Sequence, residues 1–141
     1  MRLNTKSRYA VMALADMASF KHGEPISLRD ISLRQSISLQ YLEQIFLKLK
    51  KYNLVKSIRG TNGGYVLAKN ASLIKLSEIF FALDQNVKTI GCDKQSKKGC
   101  NGRSSKCITH NLWDELEIHI NTFFENKSLK DLLNNNKETR V

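Results

Sequence analysis

The chain has 141 residues, 41% of them apolar, which is enough for one hydrophobic core without disulfide staples, and no stretch approaches the ~20 apolar residues of a membrane span. Net charge is +10 and uneven: residues 1–89 carry +8, residues 90–110 carry +4, and residues 111–141 carry −2. That balance points to a polyanionic partner, nucleic acid first, and sets the C-terminal segment apart from the binding surface.

Residues 5–20 read as an amphipathic helix, because Tyr9, Ala10, Ala13, Leu14, Met17 and Phe20 recur at three- and four-residue intervals. Basic residues ahead of this apolar run loosely imitate a secretion signal. Asp16 interrupts the run and its spacing suits a folded helix, so the expected location is cytoplasmic. Lys21-His22-Gly23-Glu24-Pro25 breaks the helix. Ser27, with Asp30 three residues on, predicts the cap of a short second helix that carries Leu28, Ile31 and Leu33 and ends near Gln35. Ser38 caps a third, about residues 39–52, with Leu42, Ile45, Phe46 and Leu49 as its buried stripe.

Leu54–Ile58 and Tyr65–Leu67 alternate as two strands of a hairpin. The turn between them, Arg59-Gly60-Thr61-Asn62-Gly63-Gly64, contains Asn-Gly, a pair that tolerates positive φ. A short helix at 77–83 points Ile79, Phe80 and Leu83 inward. Residues 88–108 are almost devoid of apolar side chains and hold every cysteine, so packing alone does not order them. A long helix at 109–124 follows, with Leu112, Leu116, Ile120 and Phe123 on one seam and Trp113 and Phe124 beside it. Residues 128–133 allow another turn or two of helix, and the Asn-rich end reads as disordered.

Short helix, tight turn, second helix and Gly-tipped hairpin is the order of a winged helix-turn-helix. The predicted class is therefore mainly α with one small β-hairpin. The polar face of the third helix suits the major groove, where base edges are distinguishable. Gln40, Tyr41 and Gln44 are candidates for base or phosphate contact, Lys48 and Lys51 for phosphate, and Ser38 completes the set at the helix start. Glu43 repels phosphate unless it accepts from a cytosine amino group, which makes it a candidate for specificity by exclusion. Arg59 suits a narrow minor groove, and Gly60 lets the backbone approach phosphate.

Cys92, Cys100, Cys107 and His110 read C-x7-C-x6-C-x2-H, a four-ligand set of three thiolates and one imidazole. Both tetrahedral zinc and a [2Fe–2S] cluster accept such a set. The absence of a tight Cys-x2-4-Cys knuckle tilts the spacing towards the cluster, and the surrounding bases suit its net negative charge. Unligated thiols and a regulatory disulfide are the plainer alternatives. There are no paired carboxylates near the cysteines, no nucleophile motif and no phosphate-binding Gly loop leading into a helix, so an enzyme is not expected.

Three segments carry a resemblance: MRLNTKSRYAVMALAD at the start, ISLQYLEQIFLKLKKYNLVKSIRGTNGGY in the middle, and C…C…CITHNLWDEL near the end. Over nearly its whole length the chain resembles the iron–sulfur cluster regulator (IscR) family of winged-helix proteins. The resemblance implies a homodimer formed through the 109–124 helix, a [2Fe–2S] cluster on Cys92, Cys100, Cys107 and His110, and double-stranded promoter DNA as partner, with no membrane. It implies control of iron–sulfur assembly genes, usually by repression, with promoter choice set by the cluster. Glu43 matches the family position that influences that choice, and Arg59 the wing residue that enters the minor groove. The cysteine spacings are longer than the family's usual C-x5-C-x5-C, and Thr61 and Asn62 stand where Pro and Gly are common.

The expected division is a winged helix-turn-helix domain at 1–84, a cluster-binding loop at 85–108, a dimerisation helix with a C-terminal helical segment at 109–133, and a disordered tail at 134–141. The competing expectation is a related regulator that senses nitric oxide, iron or thiol redox state through a different cluster or cysteine chemistry.

Overall fold

The computed structural model describes residues 4–84 and 108–139. Helix α1 is Thr5–Ala18, α2 Leu28–Gln35, α3 Leu39–Lys51, strands β1 Val55–Ile58 and β2 Gly64–Leu67, then a 3₁₀ turn Ala71–Leu73, α4 Leu76–Ala82, α5 His110–Asn126 and α6 Leu129–Thr139. It is mainly helical with one antiparallel hairpin, Val55 facing Leu67 and Ile58 facing Gly64.

The Asn4 side chain accepts from the Ser7 amide at 2.7 Å and starts α1. Ala10 and Ala13 are fully buried, which lets neighbouring helices approach the α1 backbone closely. The expected stripe on α3 is complete, with Leu42, Ile45, Phe46 and Leu49 all buried. They meet Leu14, Ile31 and Ile79 in one core, where each large side chain contributes about 1.5–3 kcal/mol.

Helix α2 begins as its sequence predicts, with the Ser27 hydroxyl accepting from the Asp30 amide at 3.1 Å. It ends at Ser36, whose φ of 55° turns the chain into α3. The Ser32 hydroxyl donates to the Ile37 carbonyl across that turn, and Ile37 plugs it from inside.

Several local expectations fail. Helix α1 stops at Ala18, so Phe20 is not on its buried face. It is exposed, with the Arg34 guanidinium 4.5 Å above its ring. Leu33 is 74% exposed, because two residues from Ile31 on a helix is the opposite side. Ser38 sits at the cap position of α3 but makes no side-chain cap bond. The left-handed backbone in the hairpin turn falls at Gly60 (φ 125°), not at Asn62-Gly63, and the Gly63 amide donates to the Gly60 carbonyl at 3.0 Å. A five-residue connection closes by a wider turn than the two-residue Asn-Gly type. Helix α6 runs to Thr139, into the stretch where a disordered tail is expected, and Leu129 at its start is fully buried in the main core.

Two polar clusters brace the frame. The buried Asp16 carboxylate on α1 accepts from Arg34 Nε (3.0 Å) and Nη2 (2.7 Å) and from Gln35 Nε2 (2.9 Å) on α2. The hydrogen bond to Asp16 is the main reason the Arg34 pKa is raised. Arg34→Ala leaves that carboxylate with Gln35 alone, and denaturant melts should show a loss of about 3 kcal/mol. A change within experimental error would mean the ion pair adds nothing to holding α1 against α2. At α4, Glu78 accepts from Lys69 Nζ at 2.7 Å and from the Lys75 amide at 2.9 Å. Burial pushes its carboxyl up, but these hydrogen bonds and the two lysine charges outweigh it and hold it below the ordinary range.

Backbone pairing also ties the C-terminal helices to the rest. The Leu76 amide donates to the Lys127 carbonyl at 2.9 Å and the Leu129 amide to the Ile74 carbonyl at 3.1 Å. Phe124 of α5 packs edge-on against Phe80 of α4, with centroids 4.5 Å apart.

Candidate nucleic-acid interface

With one side of α3 committed to the core, the opposite side is fixed by helical periodicity. Gln40, Gln44, Leu47 and Lys51 share it at three- and four-residue steps, and all four are exposed. Glu43 borders them and is exposed, as is Ser38 at the helix start. Tyr41 is half-buried, its ring edge-on to Tyr9 of α1 at 5.5 Å between centroids, so α1 braces the first turn of α3. Lys48, an expected phosphate contact, has its Nζ 3.4 Å from the Asp84 carboxylate. Lys48, Lys50 and Lys51 together complement the negative end of the helix dipole.

The hairpin is held beside this helix at two points. Lys50 Nζ donates to the Ser57 hydroxyl of β1 at 2.9 Å. On the other strand, Tyr65 exchanges both backbone hydrogen bonds with Ile26, at 2.8 and 2.9 Å, and its ring meets Phe46 at 5.0 Å. Gly64 is needed for that seam, because a Cβ there would collide with the Ile26 carbonyl. Arg59 and Gly60 follow β1 at the exposed tip. The result is a rigid polar helix face and a basic loop on one connected scaffold.

The Rrf2 family model, described as iron-dependent transcriptional regulator, matches residues 3–135. The chain belongs to the Rrf2 family. A similar Rrf2 relative is the HTH-type transcriptional regulator IscR of Photorhabdus laumondii, 47% identical over 135 residues, which are 96% of this chain and 80% of that protein. Among solved structures, T. potens IscR superposes with a TM-score of 0.80 at 31% identity, covering all of this chain (100%) and 92% of the other. CymR, the global cysteine regulator of B. subtilis, gives 0.78 at 29% identity, covering 94% and 95%. These relatives are transcription regulators, not enzymes, and the Rrf2 assignment makes this chain a DNA-binding regulator of the winged-helix type. Among the described residues, no helix is long and apolar enough to cross a membrane.

Of the four candidate ligands, Cys92, Cys100 and Cys107 lie outside the described residues. His110 is the first residue of α5 and is partly exposed. Among the described residues no group of three or more His, Cys, Asp or Glu side chains gathers as a metal site. Leu47 is the residue that sequence reasoning missed on the α3 face. It breaks the polar pattern there, and 66% of its surface is open. Its spacing from Gln40, Gln44 and Lys51 was the available signal.

Proposed function

We propose that this protein regulates iron–sulfur assembly genes, usually as a repressor, by binding promoter DNA as a homodimer and sensing its own [2Fe–2S] cluster. The observation that carries the DNA half is the exposed α3 face, braced by Tyr9 and joined to the wing through Lys50 and Ser57. Gln40, Gln44 and Glu43 address base edges; Ser38, Tyr41, Lys51 and Gly60 meet the backbone, with Lys48 joining them when it leaves Asp84. Arg59 enters the minor groove.

Operator titrations test this. Arg59→Ala should weaken binding about tenfold and flatten the salt dependence by about one unit of log–log slope. It should also abolish the penalty for replacing A·T by G·C under the wing. An unchanged slope and an unchanged A·T preference would remove Arg59 from the interface.

Leu47 meets a thymine methyl on the floor of the major groove when α3 lies there. Replacing that thymine by uracil deletes one methyl and should cost the parent about fourfold in affinity. Leu47→Ala should be indifferent to the exchange. Equal sensitivity in both proteins would place Leu47 away from the base.

Three lines support the dimer and the cluster. The described part of α5 buries no residue completely, and Leu112, Leu116 and Phe123 remain exposed on its seam. The donor set of three thiolates and one imidazole matches four terminal positions of a [2Fe–2S] cluster. Relatives sharing 47% of their aligned residues carry the IscR name. Cys92, Cys100, Cys107 and His110 would hold the group, and it would supply a site that is filled when iron and sulfide are available and empty when they are scarce. CymR shares the fold and is named for cysteine, which favours keeping a thiol or alternative-cluster signal as the second reading. His110→Ala discriminates: a changed visible spectrum of the reconstituted protein supports the imidazole as the fourth ligand, and an unchanged one favours the second reading.

A further inference from the structure

A cavity of about 490 Å³ opens between the C-terminal turn of α1 with its following loop, the end of β2, and the first turns of α6. That volume lies in the range of small-molecule sites. Leu67 and Leu133 give it apolar walls, and Lys21, His22, Lys130 and Glu24 line it as well. Two lysines against one glutamate leave an excess of one positive charge before His22 is counted. Among the described lysines, Lys48 reaches Asp84 and Lys69 reaches Glu78. The Lys21 and Lys130 side chains make no hydrogen bond or ion pair among the described residues, not even with Glu24, which lines the same cavity. At the end of α1 the Ser19 amide donates to the Ala15 and Asp16 carbonyls and the Phe20 amide to that of Met17. No residue of α3 or of the 59–63 wing tip lines the cavity, so it is separate from the DNA face.

The geometry points to a binding site for a small amphipathic organic anion, a carboxylate or sulfonate on a compact apolar body. The body would displace water from Leu67 and Leu133, and the head would lie between Lys21 and Lys130. An apolar wall alone accepts any greasy molecule, whereas the paired cations select the anion. A polyphosphate has no apolar part to bury, and a metal cation meets net repulsion.

The test is a titration of isotope-labelled full-length protein with 1-naphthoate and, separately, with its neutral analogue 1-naphthalenemethanol, followed by amide shifts in NMR spectra. Naphthoate should shift the amides of Gly23, Leu67, Ala71 and Leu133 together, with a dissociation constant below about 1 mM. The alcohol should bind the same place about tenfold more weakly, and the surface double variant Lys21→Ala/Lys130→Ala should bring naphthoate down to the level of the alcohol. Ala18→Trp, which fills the cavity from α1, should abolish both. Equal affinities for acid and alcohol in the parent would reduce the site to an unselective crevice. Shifts clustered elsewhere, or none, would overturn it altogether.

Discussion

Leu116→Asp should convert the protein to a monomer and lower its operator affinity by about two to three orders of magnitude. The carboxylate would fall in the middle of the exposed Leu112–Phe123 seam, where in the proposed dimer a two-fold partner would present the same apolar surface. An unpaired charge buried there opposes association strongly. Each DNA unit would then bind its half-site unaided and lose the gain of about 10²–10⁴ that comes from joining two sites. The substitution should leave the fold of the chain intact, because Leu116 is already 42% exposed and no residue of α5 is wholly buried. Sedimentation equilibrium, circular dichroism and operator titration separate these effects. A dimer that survives both Leu116→Asp and Leu112→Asp rules out this seam as the interface.

Alanine at Cys92, Cys100 or Cys107 should reduce iron bound after anaerobic reconstitution to less than about a tenth of the parent's. Even outer-shell partners of a metal site are worth 10- to 100-fold in affinity, and a direct ligand is worth more. The variants should retain the same thermal transition in the winged-helix unit, whose core joins α1–α4 with Val55 of β1 and Leu129 of α6. Their promoter preference should match that of the parent stripped of iron. Iron content and preference both unaffected would leave a winged-helix regulator with its signal still to be found.

The parts legible in the sequence are those set by short-range periodicity. Four apolar residues at helical spacing determine which side of α3 is inside and therefore which side can meet DNA. The Ser27 cap is equally local. Long-range choices are not legible. Nothing near Asp16 announces that Arg34 and Gln35 will converge on it from another helix. Phe20 and Leu33 look like core residues by type, but one lies past a helix end and the other on the far side of a short helix. The Asn-Gly pair promises a tight turn that loop length overrides. The tail looks disordered because Asn134, Asn135 and Asn136 dominate it, although the helix that contains them starts on a fully buried Leu129. Its start is written in the sequence as Ser128 with Asp131: the Asp131 carboxylate accepts from the Ser128 amide at 2.9 Å, and the Asp131 amide donates to the Ser128 hydroxyl at 3.3 Å. The proposed α3 contacts follow from the α3 pattern, whereas the Lys48–Asp84 ion pair joins residues distant in the chain.

The pair of backbone hydrogen bonds that joins Leu76 to Lys127 and Leu129 to Ile74 makes a fulcrum. Helix α5 extends from it for 17 residues, a lever arm of about 25 Å that ends on His110. By simple trigonometry a tilt of about 5° at the pivot swings the far end by about 2 Å. In a two-fold assembly built on α5, the same small tilt would change the separation of the two reading helices, so the place where His110 is held and the pitch at which DNA is gripped become a single mechanical coordinate.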